Sequence, residues 1–330
     1  MNIRNIRELK QTAVQRLDTA RDAKRIVLIY AGINIGVSLL VTAICWWLEG
    51  QISQQGGLSN MGTRTLLSTV NTLLPMLANM ALLCLELGFL AAMIRIGREL
   101  YTSPQTLRAG MSRFWAMIRS ALFLTWTYSL AVFGCLYLSA ILFSITPLSR
   151  NTMEILSPMT ASILDGTLVL DNATAMALSE SMLPMFALFA LICAAVVIPM
   201  SYQFRLVSYI LMDKPHYGAL MAIRESKLLM RRNRFALFKL DLSFWWYYLL
   251  MLLSSVLCYG ETVLILLGIG LPFSADVGYF LFFGLYLAAL FAIYYFFRSR
   301  VGVTYALAYE SLKPREEPES GVVLGNIFQM

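Results

Sequence analysis

Runs of apolar residues at 26–48, 66–94, 121–145, 183–211, 242–267 and 279–297 alternate with short polar segments along the chain. At about 1.5 Å per residue each run reaches across a hydrocarbon core of about 30 Å. None shows the period-two alternation of barrel strands, and in lipid a lone segment must satisfy its backbone polar groups internally. The pattern therefore predicts an all-α, polytopic transmembrane bundle of six spans. Three further helices are predicted beside them. Residues 1–25 carry Ile3, Ile6, Leu9, Ala13, Leu17 and Ala20 at helical spacing, which reads as an interfacial amphipathic helix. A second runs from Ser103, as N-cap, with Pro104 at its first position, to about residue 120. The third occupies 213–240, with a turn at Asn233 before the chain re-enters the membrane. That turn would put Asp241 in the first turn of the fifth span, favoured by the helix dipole, and Ser243 beside a free backbone N–H. Residues 146–182 form a long loop and 298–330 a tail.

Lysine and arginine are distributed unevenly between the connections. The segment before span one holds Arg4, Arg7, Lys10, Arg16, Arg21, Lys24 and Arg25, whereas the next connection has Arg64 alone. The alternation continues with Arg95, Arg98, Arg108, Arg113 and Arg119 against Arg150, and then with a basic run from Lys214 to Lys239 against none. By the positive-inside rule both termini are cytoplasmic and the loop 146–182 is outside. Trp46 and Trp47, and the run Trp245 to Tyr248, suit interfacial aromatic belts. The first apolar run is too long for a cleavable signal peptide.

Composition narrows the chemistry. In 330 residues, 58% hydrophobic against 14% charged and a mean hydropathy of +0.67 exclude an ordinary soluble domain. The net charge of +7 resides on one membrane face, so it is not a nucleic-acid footprint. One histidine, and five cysteines that form no C-x-x-C pair, leave no predicted metal site or cofactor. His216 follows Pro215 in a polar loop, where a solvated or capping role is expected. Asn172-Ala173-Thr174 matches a glycosylation sequon by spacing only. No P-loop, G-x-S-x-G, H-E-x-x-H or dinucleotide fingerprint occurs, and no catalytic residue is assigned.

Span two carries the main polar feature. At about 100° per residue, Ser68, Asn71, Pro75, Asn79 and Glu86 fall within about 80° of one another, a stripe expected to face the bundle interior. Glu86 and Arg205, each about 10 Å from the basic end of its span, are a candidate ion pair. Two readings stay open: a relay for an ion or proton, or a structural bridge. Gly32 and Gly36 flank Asn34 in a G-x-x-x-G string, and Gly284 with Ala288 repeats the small-residue spacing. Both suit close helix packing, within the chain or between copies, and the oligomeric state is not set by either. Arg231, Arg232 and Arg234 form a dense cluster suited to anionic lipid head groups at the cytoplasmic face or to a membrane-protein partner. Ile6-Arg7-Glu8-Leu9-Lys10 and Ile223-Arg224-Glu225-Ser226-Lys227 are alike, but basic helices precede many spans and chance similarity suffices.

The stretch Ile198-Pro199, Tyr209-Ile210-Leu211, Asp213, Pro215, then Ala222 through Met230 and Arg234-Phe235-Ala236-Leu237-Phe238-Lys239-Leu240-Asp241-Leu242-Ser243-Phe244 resembles the signature of a family of uncharacterised bacterial integral membrane proteins, domain-of-unknown-function family 975. Gly88, Arg98-Glu99 and Thr304-Tyr305-Ala306 with Tyr309 fit more loosely. Met200 and Arg232 stand where that family usually has glycine. The resemblance implies a bacterial cell-membrane bundle and brings no catalytic residues. Taken together, the expectation is a non-catalytic scaffold or accessory subunit that binds lipid or a membrane partner. The rivals are a transporter or channel using the span-two stripe, and an intramembrane lipid-modifying enzyme.

Overall fold

A computed structural model describes residues 5–54, 61–147, 149–155, 157, 172–266 and 275–313. Residues 148, 156 and 158–171 of the loop 146–182, the side chains of Asn172-Ala173-Thr174 and the tail from 314 onward lie outside the described residues. The elements, all helical, are α1 (Ile6–Thr19), α2 (Ala23–Gln54), α3 (Met61–Gly97), a 3-10 turn (Pro104–Arg108), α4 (Ala109–Ser112), α5 (Phe114–Ile145) and α6 (Asn172–Phe204). They continue with α7 (Val207–Asp213), α8 (Ala219–Met230), α9 (Arg234–Leu242), α10 (Trp245–Cys258), α11 (Gly260–Leu266) and α12 (Ala275–Ile293). A π-helical turn (Tyr294–Arg298) then leads into α13 (Ser299–Leu312).

Among the described residues five stretches are long and apolar enough to cross a membrane: Ala23–Ser53, Gly62–Gly97, Phe114–Ile145, Ser179–Asp213 and Val277–Leu312. The predicted fifth run, 242–267, holds α10 and α11; α10 passes the same test only together with α9, from which it is bent by 62°. Ser243 lies at the break. Its hydroxyl donates to the Leu240 carbonyl at 2.6 Å, and the Phe244 N–H donates to the Asp241 carbonyl at 2.9 Å, closing α9 early. Asp241 therefore lies in the last turn of α9, not the first turn of a span, and accepts from the Tyr248 hydroxyl at 3.1 Å.

Two compact units are present. The first comprises Met1–Trp115, Ser208–Gly218 and Arg231–Met330. Its centre is α13, which continues the last span beyond Phe297, the predicted boundary, because nothing before Lys313 breaks the helix. Val301, Val303, Thr304, Tyr305, Ala306, Leu307, Ala308 and Tyr309 are buried there. This helix packs on α3 and α1. The amphipathic pattern of α1 is correct, but Leu9 and Ala13 are fully buried against protein. Full burial of a leucine contributes about 1.5–3 kcal/mol. Asn5 caps α1, its side-chain oxygen accepting from the Glu8 N–H at 3.4 Å and its side-chain amide donating to the Glu8 carboxylate at 2.7 Å. Lys10 reaches α9, donating to the Ser243 carbonyl at 2.6 Å above the Phe244 ring, and burial lowers its pKa below the ordinary value.

The predicted helix from 103 to 120 is three pieces. Pro104 does open the first turn, but Ser103 makes no side-chain cap, and the helix is interrupted at Arg113. Close backbone packing explains this. A Cβ on Gly88 would lie 1.8 Å from the Leu107 carbonyl oxygen, and one on Gly110 would lie 1.9 Å from that of Cys84. By contrast a Cβ on Gly32, Gly36 or Gly284 would meet nothing within 4 Å. The G-x-x-x-G string is therefore no packing seam within the chain; Gly88 and Gly110 supply the close approach instead.

The second unit comprises Ala116–Val207 and Ala219–Met230. Within it α8 packs on α6, where the Ser226 hydroxyl donates to the Gln203 carbonyl at 2.8 Å and Lys227 lies over Phe204. Tyr128 of α5 meets Phe204 edge-on at 6.1 Å.

Candidate functional site

Helix α3 is the backbone of the polar chemistry. Its spanning stretch has 36 residues, about 54 Å, well beyond one hydrocarbon thickness. The charge-free stretches 65–85 on α3, 26–48 on α2 and 277–297 on the last span are each about 30–35 Å long. Glu86 and Arg298 thus bound their stretches at corresponding positions, at the edge of the apolar slab.

They also meet. Glu86 forms an ion pair with the Arg298 guanidinium, and its second oxygen accepts from the Tyr30 hydroxyl. Arg298 donates to the Tyr247 hydroxyl at 3.1 Å and lies 6.0 Å from the centroids of Phe89 and Tyr294. Tyr30 stacks on Phe89 with centroids 4.4 Å apart. The node draws on α2, α3, α10 and the π-helical turn, so it ties four elements of the first unit. The π turn adds backbone between α12 and α13 and presents Arg298 inward.

Glu86→Gln and Arg298→Gln should each lower the melting midpoint in detergent, since hydrogen bonds to charged groups contribute about 1.5–3 kcal/mol. Both side chains keep some solvent exposure, which favours the lower end. The double variant should lose less than the sum of the two; strict additivity in the melting experiment would refute the pairing.

A second node surrounds Asp213 at the end of α7, whose side chain is 5% exposed. It accepts from Arg98 at the end of α3, from Lys313, and from the Tyr309 hydroxyl at 2.9 Å. Glu310 completes it, taking Arg98 Nε at 2.8 Å and Lys313 at 3.3 Å. Next to Arg98, Glu99 has φ +60°, a left-handed residue closing α3, with the Leu100 N–H donating to the Arg95 carbonyl at 2.9 Å. Its carboxylate lies 3.1 Å from Arg16 of α1.

Among the hollows along α3, two share part of their lining. One, of about 790 Å³, is lined by Arg95, Arg98, Arg108 and Arg113 with Ser103, and its one carboxylate is Asp213. The other, of about 760 Å³, is apolar, with Ile33, Leu77, Met80, Ala81 and Phe114 among its walls. Gln105 and Arg108 line both.

The family model described as protein of unknown function (DUF975) matches residues 1–313. The chain belongs to that family. No curated protein and no solved structure matches this DUF975 member. The match includes α1 and α2, which precede Gly88, the first residue that carries the resemblance in sequence.

In this DUF975 protein the predicted stripe is not continuous. Asn71 donates to Glu49 at 3.4 Å, and Glu86 is engaged as above, but Ser68 and Asn79 are exposed. Glu86 takes Arg298, not Arg205, as its cationic partner. Arg205 belongs to the second unit, near Tyr128. The prediction ended span six at Phe297 and so counted Arg298 as tail. Arg231 and Arg232 are exposed in the turn before α9, and Arg234 opens that helix half-buried. Asn34 is half-buried on α2 between the open Gly32 and Gly36. His216 rests edge-on to Tyr217, centroids 4.8 Å apart. Among the described residues no group of histidine, cysteine and carboxylate side chains is arranged to hold a metal ion. Sequence reasoning missed Arg298, Asp213 as an ionic hub, and the Arg95, Arg108 and Arg113 hollow. The signal available was the matched length of the charge-free stretches, which puts Glu86 and Arg298 at the same edge.

Proposed function

We propose that this multi-pass membrane protein is a non-catalytic scaffold or accessory subunit that binds anionic membrane lipid at its basic end. The observation carrying the reading is the arginine-lined hollow beside α3, whose one carboxylate, Asp213, is already engaged by Arg98 and Lys313. A surplus of guanidinium groups at the edge of an apolar slab is complementary to lipid phosphate. The positive-inside rule adds that this end, with both termini, faces the cytoplasm of a bacterial cell. A relay along span two is disfavoured, because Glu86 sits at the slab edge and is neutralised by Arg298.

Gentle extraction followed by mass analysis of the intact protein tests the reading. The expected result is retained anionic phospholipid, with or without a stoichiometric protein partner. Retention of a small solute and no lipid would overturn it in favour of transport. Phosphatase fused after Arg232 should be inactive; active fusions there would reverse the orientation.

A further inference from the structure

The apolar cleft and the arginine hollow meet along one wall, and that wall is held in place unusually tightly. Gly88 and Gly110 allow the 3-10 turn and α4 to lie on α3 backbone to backbone, at the level of Cys84 to Gly88. Arg108, between them in the chain, is thereby fixed at the level of Glu86, where the charge-free stretch of α3 ends. On the apolar side of Arg108 the cleft runs along Leu77, Met80 and Ala81 of α3, opposite Ile33 of α2. On its polar side lie Arg95 and Arg113. Among the described residues none of Arg95, Arg108 and Arg113 has an acidic partner.

A ligand matching both compartments needs a long apolar part, an anionic group next to it, and a length set by the slab edge. Each hollow falls in the range of about 300–1,000 Å³ that small-molecule sites occupy. A soluble phosphate would leave the cleft unfilled, and a neutral lipid would leave the arginines uncompensated. Guanidinium pairs bidentately with phosphate oxygens, and lysine does so less well.

We propose that the cleft and the arginine hollow form one site for a single anionic phospholipid, its phosphate held by Arg108 with Arg95 and Arg113, and an acyl chain laid along Ile33, Leu77, Met80 and Ala81. This deepens the lipid-binding reading and rests on it. Arg231 and Arg232 are not part of the site.

Titrating the full-length protein with phosphatidylglycerol, and with phosphatidylcholine of the same chains, under native mass spectrometry tests the assignment. Wild type should hold one phosphatidylglycerol in preference to phosphatidylcholine. Arg108→Gln with Arg113→Gln should weaken phosphatidylglycerol by roughly 30-fold, at the contribution typical of basic residues at an anionic surface. Ala81→Trp, which fills the cleft without altering charge, should weaken the long-chain lipid and spare a short-chain one. Arg231→Gln with Arg232→Gln should change neither. If wild type prefers phosphatidylglycerol and the Arg108 and Arg113 variant retains it fully, the site is wrong while the lipid-binding reading stands. If wild type shows no preference, the reading itself falls. Displacement by glycerol phosphate at equal concentration would overturn the acyl half. Unchanged melting of each variant without lipid guards against misfolding, and should a glutamine variant melt early, Arg108→Lys, which keeps charge but loses bidentate pairing, replaces it with an expected intermediate loss.

Discussion

Gly88→Ala should be the most damaging single-methyl change in the protein. The added Cβ would fall 1.8 Å from the Leu107 carbonyl oxygen and 2.5 Å from its carbon, positions held by backbone and therefore unable to rotate away. Overpacking of a core costs about 1–3 kcal/mol when side chains can adjust, and more when they cannot. The gain in helix propensity from alanine, about 1 kcal/mol, does not offset it. The expected readout is a sharp fall in the detergent melting midpoint, shared by Gly110→Ala. Gly36→Ala supplies the contrast, since its Cβ would meet nothing within 4 Å. A melting midpoint for Gly88→Ala equal to that of Gly36→Ala would disprove the close approach of α3 and the 3-10 turn. Damage from Gly36→Ala would instead signal that a second molecule packs on α2.

Asp213→Asn ranks second. The carboxylate is almost wholly buried and accepts from two cations and the Tyr309 hydroxyl. Removing one member of a buried ion cluster leaves the others uncompensated, at a cost of about 3 kcal/mol or more. Glu310 still faces Arg98 and Lys313, so it tempers the loss. A second change, Lys313→Gln, should return part of the stability to Asp213→Asn by removing the surplus charge. Failure of that rescue, read from paired melting curves, would mean that Asp213 matters as a packing group and not as a charge.

The spans were legible because hydrocarbon thickness imposes a length that composition must obey, and each of the five long helices overlaps its predicted run. What happens at their ends was not legible by the same means. The run 242–267 reads as one span, yet the chain bends by 62° between α9 and α10 at its very start, and α10 ends at Cys258. Arg298 looked like the first residue of a tail, since a charge conventionally ends a span, while the helix carries on to Leu312. For α1 the spacing of Leu9 and Ala13 marks an apolar face, expected at the lipid surface and found against protein; periodicity cannot say which of the two covers it. Gly88 and Gly110 left no pattern at all, because each is matched to a carbonyl more than a dozen residues away.

Among the candidate sites, the sequence pointed to Glu86 as a paired group and mistook its partner. Polar residues on a span announce that something must satisfy them, but the identity of that something depends on helix order around the bundle. No linear spacing contains this.

The packing of α1 on α13 also bears on how the protein is made. The first helix emerges from the ribosome about 300 residues before the helix that covers it, an interval of roughly 15–60 s at typical rates of synthesis. Throughout that time Leu9 and Ala13 must rest on something else, and the basic flank of α1 makes the bilayer surface the natural waiting place. Insertion of six spans would thus precede closure of the first unit. A chain truncated before residue 299 should reach the membrane normally and then remain open to proteolysis at its N-terminal helix.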